Sequence, residues 1–284
     1  YDSIDDLRKD IAKKLLSLGA DTMLFLKHIK EINYEIIGVD GFEDSQGTYM
    51  LDKKPLGGYC SKIIALGENS TDNQDSTYIM YSKPIKNTPK TVDIVFAIEE
   101  SDSGNKPIFL DASKKHRCIS VYFPTESESK LKFLVQAPFV TTPNRGGVPI
   151  KENKELAEIA ADLLKEIILD IKARGWLTLE FLNLLPFHLP NNEWLFEPMY
   201  DITTDILENE QILPTIDGGY TTAENANIAR GETLTEILKG DILCKLLNNE
   251  EAAWLPTSLT ETNKLLSGLL VYLNRELGIP VRRA

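Results

Sequence analysis

The residues best suited to chemistry in this sequence are a glycine-flanked arginine and its neighbours in Thr141-Thr142-Pro143-Asn144-Arg145-Gly146-Gly147-Val148. A guanidinium is permanently charged and presents a fork of donors that matches a phosphate oxygen. Asn144 is placed to brace that group, and Gly146 and Gly147 let the backbone approach a ligand closely. Asn144, Arg145 and Gly146 are therefore the candidate cofactor-binding residues. The plainer alternative is an arginine that ties down its own loop by donating to backbone carbonyls.

Other chemistry finds little support. A GxxxxGK[ST] loop and a GxGxxG following a strand are both missing, so a stand-alone nucleotide site is not expected. His28, His116 and His188 lie far apart and outside any HExxH pair, which reads as surface or satisfied core histidines and as no metal site. Cys60, Cys118 and Cys244 are odd in number and widely separated, which suggests neither a disulfide framework nor zinc and fits a reducing cytoplasm. No GxSxG elbow is present. The carboxylates Glu99-Glu100-Ser101-Asp102 and Glu126-Ser127-Glu128 fall at predicted strand ends or turns, where charge keeps a loop solvated.

The charge balance narrows the partners. With 31 Lys+Arg against 43 Asp+Glu, the net charge is −12, a field that repels phosphate backbones and anionic membranes. Nucleic acid would need a local basic patch such as Lys83 to Lys90 or Lys114-Lys115-His116-Arg117, and short basic runs beside acidic loops ordinarily mark solvated strand ends. No apolar run approaches the ~20 residues of a membrane span. The chain opens on Tyr1-Asp2-Ser3 without an initiator Met or an apolar signal core, which points to a segment of a longer polypeptide.

The elements that must position Arg145 follow from periodicity. Ile4, Leu7, Ile11, Leu15 and Leu18 recur at helical spacing, Gly19 supplies a stop, and Asp21 caps a second short helix, giving an expected helical segment over 1–36. Gly38 to Asp75 is rich in Gly, Asp, Asn and Ser and predicts loops and a hairpin. Strands are predicted around 78–81, 91–98, 118–123 and 131–140. In that reading Phe123-Pro124-Thr125-Glu126 is a polar turn, and a hairpin delivers Arg145 to the loop before the strongest helical signal. That signal carries Leu156, Ile159, Ala160, Leu163, Leu164, Ile167, Ile168 and Ile171 on one face and closes at Arg174-Gly175.

Beyond it, 176–210 predicts two short helices broken by Pro186, Pro190 and Pro198. The last region predicts a turn at Asp217-Gly218-Gly219-Tyr220 and helices over 223–229, 234–238 and 262–277. The expected fold is α+β: a mixed or antiparallel sheet with a long covering helix over 37–175, followed by a smaller, mainly helical region over 176–284.

The string Phe123-Pro-Thr-Glu, with Leu131-Lys-Phe-Leu-Val-Gln-Ala-Pro-Phe-Val-Thr-Thr-Pro-Asn-Arg145, resembles the region downstream of the ATPase domain in sacsin and its bacterial sacsin-like relatives. Leu24 to Ile32, Leu213 to Tyr220, Trp254-Leu255-Pro256 and Tyr272 to Leu277 are similar to further parts of that family in the same order. The resemblance implies a GHKL-type ATPase, the group that includes DNA gyrase, ninety-kilodalton heat-shock chaperones and histidine kinases. It implies ATP and magnesium held by a preceding domain and no cofactor held by this chain. The adjoining middle or transducer domain of that group supplies a basic residue to the γ-phosphate, and Arg145 matches that duty best. Implied partners are the upstream ATPase domain, a protein client or effector domain, and a second copy in a homodimer.

Overall fold

The computed structural model describes residues 3–16, 18–69, 75–101, 106–190 and 192–283. Its centre is a nine-stranded mixed sheet, antiparallel except where β7 meets β9. The strands are β1 (Glu31–Ile36), β2 (Ser45–Gly57), β3 (Cys60–Asn69), β4 (Ser76–Pro84), β5 (Thr91–Glu100), β6 (Pro107–Leu110), β7 (Cys118–Val121), β8 (Phe123–Glu128) and β9 (Leu134–Gln136). Their order is β1-β2-β3-β4-β5-β9-β7-β8, with β6 pairing the far half of β5. The fold class is α+β, as the sequence predicts.

Helix α1 (Ile4–Leu16) begins the chain, and a single 3-10 turn spans Ala20–Met23. Residues 31–36, expected within the helical segment, instead form the edge strand β1. Glu31-Ile32-Asn33-Tyr34-Glu35-Ile36 alternates polar and apolar residues, a period of two that a strand satisfies and a helix does not. The stretch 38–75, where loops and a hairpin are expected, carries the long β2–β3 hairpin, with strands longer than its loop-like composition suggests. Its polar composition is that of strands with much of their length exposed. Gly57 (φ 95°) and Gly58 (φ 57°) supply the left-handed turn.

Helix α2 (Ile150–Ala173) covers one face of the sheet, burying Ala160, Leu163, Leu164, Ile167, Ile168 and Ile171 against Val92, Ile94 and Phe96 of β5. Its C-terminus closes as a Schellman motif: Gly175 (φ 69°) donates to Lys172 O at 2.9 Å and Trp176 donates to Ile171 O at 2.9 Å. Three side-chain bonds secure that end, two of them to the sheet. The Tyr81 hydroxyl donates to Asp170 Oδ2 at 2.7 Å, Arg174 Nε donates to the same oxygen at 2.6 Å, and Arg174 Nη1 donates to Leu56 O at 3.1 Å.

Short α3 (Leu179–Leu182) and α4 (Glu197–Asn209) follow. Pro198 stands in the first turn of α4 and starts this helix instead of breaking one, since its missing N–H is an orphan there anyway. The predicted turn at Asp217-Gly218-Gly219 joins β10 (Leu213–Pro214) to β11 (Tyr220–Thr221), with Gly218 at φ 85°.

The expected helix over 223–229 is corrected to the strand β12 (Ala226–Ala229). All four of its residues are buried between parallel neighbours, β13 (Ala253–Trp254) and β14 (Val281–Arg282), so no polar face remains to show a helical period. Helices α5 (Glu232–Ile237), α6 (Gly240–Leu247) and α7 (Ser267–Arg275) complete the chain. Among the described residues no helix is long and apolar enough to cross a membrane.

Candidate functional site

The Arg145 loop is built on the outer strand of the sheet. Phe123-Pro124-Thr125-Glu126, expected as a polar turn, falls in strand β8, folded back on β7 through Tyr122 (φ 64°), and Glu126 and Glu128, expected at a strand end or turn, lie within it. Thr125 makes this possible: its side chain turns inward, 6% exposed, and donates to Ile119 O at 2.9 Å. Strand β9 is short because the backbone leaves the sheet after Gln136 and runs irregularly to Pro149.

Local side-chain bonds shape the loop. The Thr142 N–H donates to Gly147 O at 2.9 Å and the Arg145 N–H to Thr142 O at 2.8 Å. The Thr142 hydroxyl accepts from the Gly147 N–H at 2.8 Å and donates to Asn144 Oδ1 at 2.8 Å, which also accepts from the Gly146 N–H at 3.1 Å. Asn144 therefore braces the backbone turn and not the guanidinium. Arg145 is left-handed (φ 59°), a conformation uncommon outside glycine and asparagine.

The loop is fastened to its surroundings on two sides. Toward β8, the Glu126 N–H donates to Arg145 O at 3.2 Å and the Val148 N–H to Ser127 Oγ at 3.0 Å, so the outer strand is covered. Arg145 Nη2 donates to both Val121 O and Phe123 O, at 3.0 Å each, holding the β7–β8 corner. Toward α2, Asn153 is fully buried (0% exposed). Its Oδ1 accepts from the Val140 N–H at 2.7 Å, and its Nδ2 donates to Val140 O at 2.9 Å and Pro149 O at 2.7 Å. Sequence reading missed Asn153; a lone asparagine in the first turn of an apolar helix was the available signal.

The structure thus gives Arg145 the occupation of the plainer sequence reading, a guanidinium engaged with carbonyls of its own fold. Those bonds run through Nη2 alone. The space opened by Gly146 is filled from within: a β-carbon there would stand 3.0 Å from Glu126 Oε2 and 3.0 Å from Asn144 Nδ2.

Other polar groups are gathered elsewhere. Lys115 Nζ and His116 Nε2 lie 2.7 and 3.3 Å from Asp21 Oδ2, and Lys83 pairs with Glu166 at 2.9 Å, so both basic runs hold acidic partners within the fold. Burial lowers the His116 pKa, opposed by the Asp21 charge. Glu99 and Glu100 end β5; Asp102 lies outside the described residues.

A polar row, half-buried at Ser82 and buried at the other three residues, crosses four adjacent strands on the face away from α2: Ser82 pairs with Asp93, Asp93 with Gln136, and Gln136 with Ser120. Asp93 is 3% and Gln136 2% exposed, and Gln136 Oε1 has no hydrogen-bond partner among the described residues. Burial pushes the Asp93 carboxyl pKa up, against hydrogen bonds from Ser82 and Thr91 and the charges of Lys27 and Lys53. Among the described residues no group of three or more His, Cys, Asp or Glu side chains is arranged to hold a metal ion.

No protein-family model, curated protein or solved structure matches this chain.

Proposed function

We propose that the chain is a middle, transducer-like module of a sacsin-like GHKL ATPase. In this reading it couples ATP binding in a preceding domain to a change in domain arrangement, in chaperone-like or defence-related work in the cytoplasm. ATP and magnesium belong to the preceding domain, and the chain alone hydrolyses nothing. The observation that supports coupling is the double fastening of loop 141–149, to the outer strand β8 and, through Asn153, to α2. A contact made on the loop is thereby felt by both layers of the fold. A γ-phosphate would have to meet the Nε and Nη1 edge of Arg145, since Nη2 is occupied by Val121 O and Phe123 O.

The test joins the chain to its native upstream domain and measures ATP turnover. Arg145→Ala should slow turnover far more than it weakens nucleotide binding, because a charge supplied to phosphoryl transfer is worth about 10³ to 10⁵ in rate where arginine fingers are used. Thr142→Val loosens the same loop without touching the charge. Equal turnover in wild type and Arg145→Ala, or an equal loss in both variants, removes the phosphate-sensing role.

A second reading, a passive protein-interaction scaffold, is favoured by one observation: the guanidinium and the Gly146 space are both satisfied from within the fold. It expects no nucleotide response. Small-angle scattering of the joined protein, with and without a non-hydrolysable ATP analogue, separates the two by whether the scattering curve changes.

A further inference from the structure

The small parallel sheet carries a crevice that the coupling reading does not use. Strands β13, β12 and β14 run in the same direction, and the crevice opens at the carboxyl end of β12, at Ala229-Arg230-Gly231, beside Val281 at the start of β14. Ligands of parallel sheets in α/β folds bind in the crevice outside the carboxyl ends of the strands, where connections leave in different directions. Here α7 and the loop 259–262 close the sides of a crevice of about 540 Å³, within the size range of small-molecule sites.

Its walls have two characters. Val271 and Val281 expose aliphatic surface (45% and 38%) beside the buried Leu270. Arg230 and Arg275 stand on its rim. The chain has eight arginines and a net charge of −12, yet four of the eight, Arg230, Arg275, Arg282 and Arg283, belong to the ends of β12 and β14 and the last turn of α7.

Neither rim arginine is committed. Arg230 meets Glu261 only at 3.6 Å, with both side chains largely exposed, the kind of pair worth little in water. Arg275 forms no ion pair among the described residues. Gly231 (φ 106°) turns the chain out of β12, and a β-carbon there would meet nothing within 4 Å, so the floor beside Arg230 is open backbone.

We propose that this crevice binds a small organic anion: one carboxylate or phosphate group held by Arg230 and Arg275, with an apolar body lying against Leu270, Val271 and Val281. Two guanidinium groups supply charge-assisted bonds to the oxyanion, and the aliphatic wall supplies the hydrophobic part of the affinity. The site is independent of any nucleotide held upstream.

Isothermal titration calorimetry of the chain with octyl phosphate, octanoate and inorganic phosphate tests it. Saturable binding of one octyl phosphate or octanoate per chain is expected, with inorganic phosphate at least roughly tenfold weaker, about 1.4 kcal/mol. The pair Arg230→Gln and Arg275→Gln should weaken binding by roughly tenfold or more, and the uncharged Val271→Asn should weaken octyl phosphate but not inorganic phosphate, through the wall alone. Arg145→Gln, remote from the crevice, should leave affinity unchanged. All three arginines are partly or fully exposed, and the unfolding midpoint of each variant, expected to match the wild type, is measured alongside. No saturable binding at millimolar ligand, the same affinity in the arginine double variant, an equal loss in Arg145→Gln, or inorganic phosphate binding as tightly as octyl phosphate would each overturn the proposal.

Discussion

Replacing Asn153 by alanine tests whether the Arg145 loop is held from beneath by one buried amide. The side chain is 0% exposed and makes three hydrogen bonds of 2.7, 2.9 and 2.7 Å to Val140 N–H, Val140 O and Pro149 O. Each neutral bond contributes a net ~1 kcal/mol, and a donor left buried without a partner adds about 1–3 kcal/mol. Some of that is recovered if water enters the space, so Asn153→Ala should lose about 3–5 kcal/mol, a large part of the ~5–15 kcal/mol that holds a native chain together.

Urea unfolding followed by tryptophan fluorescence measures the loss, with buried Trp194 and Trp254 as reporters. Hydrogen exchange at the Val140 and Thr142 amides should accelerate in the same variant while the α2 core stays protected. Asn153→Asp keeps the acceptor but turns an oxygen toward two carbonyls and buries a charge; it should be worse than alanine near neutrality and recover part of the difference on acidification, when the carboxyl can donate. A loss below ~1 kcal/mol for Asn153→Ala, or an aspartate better tolerated than alanine at neutral pH, would refute the clamp.

Three further outcomes are expected. Gly47→Ala should cost about 1–3 kcal/mol in urea unfolding, because its β-carbon would stand 2.4 to 2.7 Å from the Tyr34 ring directly across the β1–β2 pair, and Tyr34→Ala in the same chain should absorb much of that cost. For Asp93, burial raises the folded-state carboxyl pKa above its unfolded value. Its contribution is then most favourable at low pH and declines as pH rises through the window between the two values. Asp93→Asn should flatten that decline and be the more stable chain at neutral pH, and parallel pH profiles of unfolding for the two would contradict this. Cys60 is 2% exposed and its thiol pKa is raised chiefly by burial, so an aromatic disulfide reagent should modify it no faster than the chain unfolds.

The part of the fold most legible in the sequence was α2, whose apolar face and Arg174-Gly175 stop are local signals that tertiary packing reinforced. The cores of β4 and β5 were legible for the same reason: continuous β-branched and aromatic runs are buried on both faces. What escaped depends on contacts distant in sequence. A hairpin is expected within 38–75, but the full length of β2 escapes because much of it stays exposed and its partner β3 supplies its hydrogen bonds. Strand β8 hid because Pro124 reads as a turn signal, although an outer strand tolerates it. At the candidate site, Arg145 and its glycines stood out from residue type alone. Their actual partners, Val121 O, Phe123 O and Glu126, lie about twenty residues upstream and could not be read from spacing.

The two fixings of α2 have a mechanical consequence. One end is gripped through Asn153 in its first turn, the other through Asp170 and Arg174 to Tyr81 and the Leu56 carbonyl. At 1.5 Å per residue, its 24 residues make a connecting rod about 36 Å long, bolted near both ends and stiffened by a packed flank. Such a rod cannot shorten or bend cheaply. A tug of an ångström at the Pro149 end would therefore emerge, almost undiminished, at the turn of the β2–β3 hairpin, where Leu56 is held.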